Sequence, residues 1–586
     1  MTLLLLALAS AHSLPDEVER AAIDALEAEL ARAFAELELP DAPPIYHLRY
    51  NVTLLANESI EVDRGGIVSD ESSRTHQLGV EVRVGTPDFD NANFGGWESG
   101  FTSTSLALDL DVTAVRRAAW RATDAAYKAA VEQYARKRAQ VHRGDDHPGD
   151  YTLTGPVRQD FGRAALPDPE AQRGVAWALA TALADASDLY LAEAHVGAEA
   201  GSTWVLDSEG ARVRHPTSET AVRLIAVRWT DDGRRLVDQR LWIARDIHGL
   251  PEPDVMIEAL RRRTDALAAF ASGEAFEGEY VGPVLFEAEA AAELMRHLLL
   301  PQIEGTPPAD GFDSWFGRLG GQRGGARLGR RVLPAGWTVV DDPRGLPEHP
   351  GYARADAEGT PTRAVRAVVD GVVRDLLMTR TPRTGAGGST GHGRVNLRDR
   401  AEARACLTEV QPQRALSDAR LHRRAVRLAN SFGLDHYLRV ERIEDPHARR
   451  RGRELRDDPE RDVAVPPPVG VYRVSSNGDA APIHGVRFAQ VSRWLLRDVV
   501  AAGKPAPYDY FSAAPASLRW ASPLFGRPCR ITTPSLLVAE VELAPRAPTP
   551  EESPLPERPS TSVSSTPAPA TISSPEAGLE FPGGTP

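Results

Sequence analysis

Glu289, Glu293 and His297 recur every four residues, which places two carboxylates and an imidazole on one face of a helix. Such a trio could take a divalent metal. The same spacing equally suits a solvated face on which Glu293 pairs with His297. Gly385–Arg394 reads GAGGSTGHGR. It lacks the Gly-Lys-Ser/Thr of a phosphate cradle, which leaves a flexible loop, or a substrate-binding loop that meets its ligand through His392 and Arg394 at its polar tips. Cys406 and Cys529 stand far apart in sequence and read as two buried thiols or as a bridge. The chain has no His-Glu-x-x-His, no Gly-x-Ser-x-Gly elbow and no Walker loop.

The elements that must position these groups are those of an ordinary globular chain. Of 586 residues, 42% are apolar and 26% charged, enough to build a core. Sixty-eight basic against 82 acidic residues give a net charge of −14, which argues against a nucleic-acid partner. Two cysteines exclude a disulfide scaffold and any four-cysteine metal site. No apolar stretch reaches the 18 or so residues of a membrane span. Leu3–Ala9 is a short apolar run ending in Ala9-Ser10-Ala11, the small-x-small form of a signal-peptidase site, but it has no basic residue before it. Residues 1–13 therefore read either as an export segment, with a periplasmic product, or as the first turn of a helix in a cytoplasmic protein.

Apolar spacing predicts amphipathic helices over Asp16–Leu39, Thr113–Arg138, Pro253–Ser272 and Arg420–Asn430, with Trp120 on the buried side of the second. Alternation predicts a strand through Val80, Val82 and Val84. Hairpin signals fall at Asp231-Asp232-Gly233 and Asp370-Gly371, and at Asn477-Gly478, between Val471–Val474 and Val486–Phe488. Val281–Leu300 reads as a strand running into a helix, and Leu536–Leu543 as the last strand. Gly317–Arg331 and Arg449–Asp462 read as loops. From Ala544 onward Pro, Ser, Thr and Glu dominate, and a disordered tail is expected.

The order of these pieces resembles the TldD/PmbA family of metallopeptidase-related proteins. The matching segments begin with LGVEVRVGTPDFDN at Leu78–Asn91 and AAWRATDAAYKAAVEQYARKR at Ala118–Arg138. They continue with DSEG at Asp207–Gly210, GPVLFEAEAAAELMRHLLL at Gly282–Leu300 and RVLPAGWTVVDDP at Arg331–Pro343. EGTPTR at Glu358–Arg363, DGVVRDLLMTR at Asp370–Arg380 and STGHGR at Ser389–Arg394 follow. HGVRF at His484–Phe488 and PSLLVAEVEL at Pro534–Leu543 complete the series.

The resemblance implies an α+β fold: an N-terminal α/β domain (14–110), a central α+β domain (111–275), a β-rich C-terminal domain (276–545) and the tail (546–586). It also implies work on unfolded peptides by a dimer of a zinc-bearing and a zinc-free subunit. The zinc subunit carries His-Glu-x-x-x-His on the helix after the Gly-Pro-Val-Leu-like strand. Laid on that motif, this chain has Phe286, Glu287 and Ala291. A phenyl ring and a methyl group donate no lone pair, so two imidazoles are missing and only the carboxylate of Glu287 remains. The expectation is a zinc-free partner, in a homo- or heterodimer with a zinc-bearing relative. No catalytic residue, metal ligand or cofactor of its own is expected. Two other readings stay open: a self-sufficient metallopeptidase with a site relocated to His392, His297, Glu287 or Glu293, and an exported peptide-binding protein without catalysis.

Overall fold

A computed structural model describes residues 15–546 apart from 64, 95–99, 143–146, 185–188, 311–327, 395–399, 445–464 and 513–526. The signal-like residues 1–13, most of the loop at 317–331, the loop at 449–462 and the tail after 546 thus lie outside the described residues.

The N-terminal helix α1 (Asp16–Glu36) stops before Pro40 and buries Ile23, Leu26 and Leu30 at the expected helical spacing. Two long strands follow, β1 (Ile45–Asp63) and β2 (Gly66–Thr86), antiparallel in a register that pairs Tyr50 with Val80 and Leu48 with Val82. Gly65 sits between them at φ +77°, where a side chain would be strained. A short β3 (Phe101–Ser105) adds to β2. Helix α2 (Val112–Gln140) is capped by the Asp111 side chain, which accepts the Ala114 N–H. It packs through Val115, Ala119, Ala126 and Ala130 onto the core under α1. Trp120 was expected on that buried side; it is 53% exposed, because the face that α2 buries runs through Val115, Ala119, Ala126, Tyr127 and Ala130 and leaves Trp120 beside it.

After α3 (Pro169–Ala184) come β4 (Leu191–Asp207), β5 (Arg212–Trp229) and β6 (Arg235–Ala244), joined by the DSEG and Asp-Asp-Gly turns. β4 pairs antiparallel with β1 from Arg49↔Asp207 to Val62↔Ala194, so the segments before and after residue 110 share one eight-stranded sheet. The expected boundary at 110/111 therefore falls inside a single sheet. The pairing is what unites the two parts: Gly201 sits opposite Leu55, and its missing Cβ leaves room for the Leu54 carbonyl. Helix α4 (Pro253–Ala271) closes this half, packing with α3 around Met256, Leu260 and Leu179.

A twelve-stranded sheet forms the second half. Strand β7 (Tyr280–Phe286) leads into α5 (Ala288–Leu298), as the sequence predicts. Next come β8 (Thr338–Asp341), β9 (Val365–Val369), β10 (Leu407–Gln411) and the helix α6 (Asp418–Ser431). The remaining strands are β11 (His436–Ile443), β12 (Pro468–Ser475), β13 (Ala480–His484), β14 (Val486–Gln490), β15 (Val499–Phe511) and β16 (Pro528–Pro545). The order runs β9–β8–β10–β16–β7–β11–β12–β13, with β14 and β15 also on β16. The hairpin expected between 471–474 and 486–488 closes one strand earlier: β12 pairs with β13, and β14 crosses to β16. Gly485, at φ +74°, turns the chain between those two partners. The architecture is α+β throughout.

Because a Cβ at Gly201 would press on the backbone of β1, Gly201→Ala is expected to cost about 1–3 kcal/mol of unfolding free energy. Urea denaturation followed by circular dichroism measures the loss, and an unchanged midpoint would show that β1 and β4 are not held this closely.

Candidate functional site

The strand-to-helix junction between β7 and α5 is where the resemblance places catalytic zinc. Phe286 ends β7 and is fully buried, its ring stacked on Phe488 at 6.3 Å between centroids. Ala291 lies in the first turns of α5 and is also fully buried. Both belong to the apolar core of the second sheet. Glu287 caps α5: its backbone N–H donates to the Val440 carbonyl at 2.8 Å and its own carbonyl accepts the Ala291 N–H at 2.7 Å. Its carboxylate is half-exposed and 3.4 Å from the Arg439 guanidinium. Burial pushes the Glu287 carboxyl up, and Arg439 offsets this only in part. A phenyl ring, a methyl group and one carboxylate do not fit a zinc ion, which needs three donors and an open position.

The face of α5 that carries Glu289, Glu293 and His297 is not solvated as expected. Glu293 is 1% exposed and receives Arg296 at 2.5 Å, with His297 at 3.7 Å. Glu289 faces the first sheet and pairs with Arg240 of β6 at 2.5 Å and Arg263 of α4 at 2.8 Å. Burial raises the Glu289 carboxyl, but the two arginines outweigh it and leave it below the usual glutamate range. On this face Glu293 is buried, and Glu289 and His297 are half-buried where the two halves of the molecule meet.

A cavity of about 160 Å³ opens at that meeting, lined by β6, α5, β11 and β15. Its walls include Asp238, Arg240, Glu289, Glu293, Arg442, Asp509 and Arg530. Most of these charges are matched: Arg442 with Asp238 at 2.9 Å, Arg530 with Asp509 at 2.6 Å. Burial raises the Asp509 carboxyl, yet Arg530 and His349 together bring it below the ordinary aspartate value. Such a lining offers both hydrogen-bond donors and acceptors to whatever enters it.

His392 and Arg394 do not stand at loop tips. His392 is completely buried and donates Nε2–H to Asp341 at 3.1 Å, while Nδ1 meets the Thr390 hydroxyl at 2.8 Å. Asp341 also accepts the Cys406 N–H at 3.0 Å and the Thr408 hydroxyl at 2.6 Å. Burial raises Asp341, and His392 with these donors pulls it below its usual value. This imidazole pins its loop to β8 and β10. Arg394 is 7% exposed.

The cluster that sequence reasoning missed lies between the two sheets. Arg49 of β1 pairs with Glu81 and, at 3.4 Å, with Glu358. Arg83 pairs with Glu81 at 2.7 Å and Asp90 at 2.8 Å. Arg380 pairs with Glu209 and, at 3.4 Å, with Asp207, and its backbone N–H donates to Glu358 at 2.7 Å. The guanidiniums of Arg83 and Arg380 lie over the Tyr151 ring at 3.8 and 4.4 Å. The DSEG, EGTPTR and DLLMTR segments thus converge here, although each reads alone as a turn or a strand end. Among the described residues, His47, Asp207 and Glu209 are the one group with three metal-capable atoms within 4.8 Å. Arg380 already neutralises both carboxylates, and Glu209 also accepts the N–H groups of Thr154 and Gly155 at 2.8 Å. Burial keeps the His47 pKa below its ordinary value. None of Glu287, Glu289, Glu293, His297 or His392 belongs to that group.

Residues 277–426 match the PmbA/TldA metallopeptidase C-terminal domain. Over these residues the chain carries a domain of the PmbA/TldD type. Structures of similar fold include TldE from Thermococcus kodakarensis (13% identity, TM-score 0.56, 89% of this chain and all of that one). A protein described as a modulator of a DNA gyrase from Thermotoga maritima is alike to the same degree (14%, 0.55, 90% and 100%). So is another modulator of DNA gyrase from Bacteroides thetaiotaomicron (13%, 0.55, 91% and 100%). No curated protein matches by sequence. The match makes this domain metallopeptidase-related. No helix of its described residues is long and apolar enough to cross a membrane.

Two expectations follow. Arg380→Met takes from the buried Asp207 and Glu209 the guanidinium they share, and should cost about 3–5 kcal/mol in urea unfolding, more than Arg380→Met combined with Glu209→Gln. Burial and the neighbouring Glu358 push Asp356 up to about 6 from an ordinary 3.8. A raised carboxyl stabilises the fold fully below pH 3.8 and loses that contribution as pH rises through about 6. The stability difference between the wild type and Asp356→Asn should therefore shrink from pH 4 to pH 7; a flat difference would place Asp356 at its ordinary value.

Proposed function

We propose that this chain is the zinc-free subunit of a TldD/PmbA-type peptidase, and that it holds unfolded peptide for a zinc-bearing relative which cuts it. The observation that carries the reading is the β7–α5 junction, where Phe286 and Ala291 fill the places of two imidazoles with core packing. Refilling those places with histidine would bury two polar rings among apolar neighbours, so the junction is built for packing and not for a metal.

The chain's own contribution is the cavity between the sheets. Among the described residues β6 is paired on β5 alone within its sheet, and its residues 237–242 line the cavity. An extended peptide laid there would gain main-chain hydrogen bonds, which are indifferent to its sequence. Glu287 stays outside catalysis in this reading, because it has no metal-bound water to deprotonate. In this reading the chain works in a dimer, on unfolded peptide.

The test is a peptidase assay on an unfolded peptide, with the chain alone, the zinc-bearing relative alone, and both. The chain alone should hydrolyse nothing and retain less than about a tenth of an equivalent of zinc after gel filtration. The pair should cut the peptide in a chelator-sensitive way, and Glu287→Gln should leave that rate within about twofold. Stoichiometric zinc on the chain alone, with hydrolysis, overturns the proposal in favour of a self-sufficient enzyme. Peptide binding that no relative converts into cleavage favours a binding protein.

A further inference from the structure

We propose that Cys406 and Cys529 are a disulfide-forming pair that cross-links β10 to β16 behind the wall of the cavity. The two strands run parallel, with Leu407 opposite Arg530, and the Arg530 N–H donates to the Cys406 carbonyl at 2.8 Å. That register sets the two cysteines side by side, although 123 positions separate them in sequence. Neighbouring strands lie about 4.8 Å apart, inside the Cα separation of about 4.4–6.8 Å that a disulfide spans. The side chains point the same way: the Sγ atoms are 3.2 Å apart, and both residues are buried. Closing to a bond of about 2.05 Å needs rotation of two side chains and no new backbone path.

The surroundings distinguish the two thiols. A hydrogen bond from Cys529 lowers the Cys406 pKa against the opposing effect of burial, and Arg394 adds to it. Burial drives the Cys529 thiol well up. Cys406 is therefore the attacking sulfur and Cys529 the one that resolves. The oxidant is a low-molecular-weight disulfide. The Cys406 thiolate attacks one of its sulfurs and releases one small thiolate, which takes up the Cys406 proton. Cys529 then attacks the Cys406 sulfur, expels the second small thiolate and gives it the Cys529 proton. Two protein S–H bonds are lost, one protein S–S bond forms, and the small disulfide leaves as two thiols.

The place of the link gives it a consequence. Tyr510 of β15 pairs with Cys529, and Asp509 with Arg530. Tyr510, Asp509 and Arg530 line the cavity, and Arg296 of α5 lies over the Tyr510 ring at 4.2 Å. A covalent tie between β10 and β16 fixes the strand from which that wall is built.

The full chain is equilibrated in glutathione buffers of rising oxidised fraction, with and without urea below the unfolding transition so that buried strands open. It is then quenched in acid, alkylated under denaturing conditions and weighed intact. The expected result is loss of both alkyl groups and a mass about 2 Da lower at the oxidised end, with a Cys406–Cys529 peptide on digestion. Cys406→Ser and Cys529→Ser should each remain alkylatable or carry glutathione. Two alkylated cysteines at every ratio, in both series, overturn the proposal. So do glutathione adducts on the wild type in place of the internal link.

Discussion

The relative position of the two sheets rests on one buried network of charge. Arg49 and Arg83 come from the first sheet, Arg380 from the segment that leads into the loop of His392, and their carboxylates from both sides. Taking an arginine out of water costs several kcal/mol, and only close, well-aligned carboxylates and hydrogen bonds offset it. Here each guanidinium has at least two carboxylate partners or a carboxylate and the Tyr151 ring. A slide of one sheet past the other would break several pairs together, each in a setting where an unpaired charge is severely penalised. The network adds little net stability for that reason, but it selects one arrangement, which is what a cavity formed between two sheets requires.

That arrangement also explains why α5 is charged on a buried face. Glu289 reaches the first sheet through Arg240 and Arg263, and Glu293 is held by Arg296 on the same helix. The opposite face of α5 enters the core with Phe286 and Ala291. In a zinc-bearing relative, the junction would have to admit two imidazoles and a cation. In this chain its volume goes to packing, and polar chemistry moves to the side of the helix that faces the cavity.

Much of the architecture was legible because it follows from periodicity and turn chemistry. The four long helices, the Asp-Gly hairpins and the strand leading into α5 appear where apolar spacing puts them. The boundary at residue 110 did not, since long-range pairing of β1 with β4 leaves no local mark; the alternation in each strand is the same whichever strand lies beside it. Trp120 misled because size and hydrophobicity argue for burial, whereas the buried face of α2 runs through Ala119, Ala126 and Tyr127 and passes it by. The burial of Glu293 and His392 was illegible for a related reason. A charged residue is read as exposed until its partner is known, and Asp341 lies 51 positions from His392.

The two cysteines show the same limit from the opposite side. Nothing near either one in sequence marks it as a partner of the other, and a reader of the chain can count thiols but not pair them. The pairing is created by β16, which runs beside β10, β7, β14 and β15 and so gathers segments from across the second half. The strand that assembles the sheet is also the one that carries Cys529 and Arg530 to the cavity. Any device that stiffens or loosens β16 therefore acts on the core of the second sheet and on the cavity wall at once. A single covalent tie at Cys406 has that reach because the topology routes both through one strand.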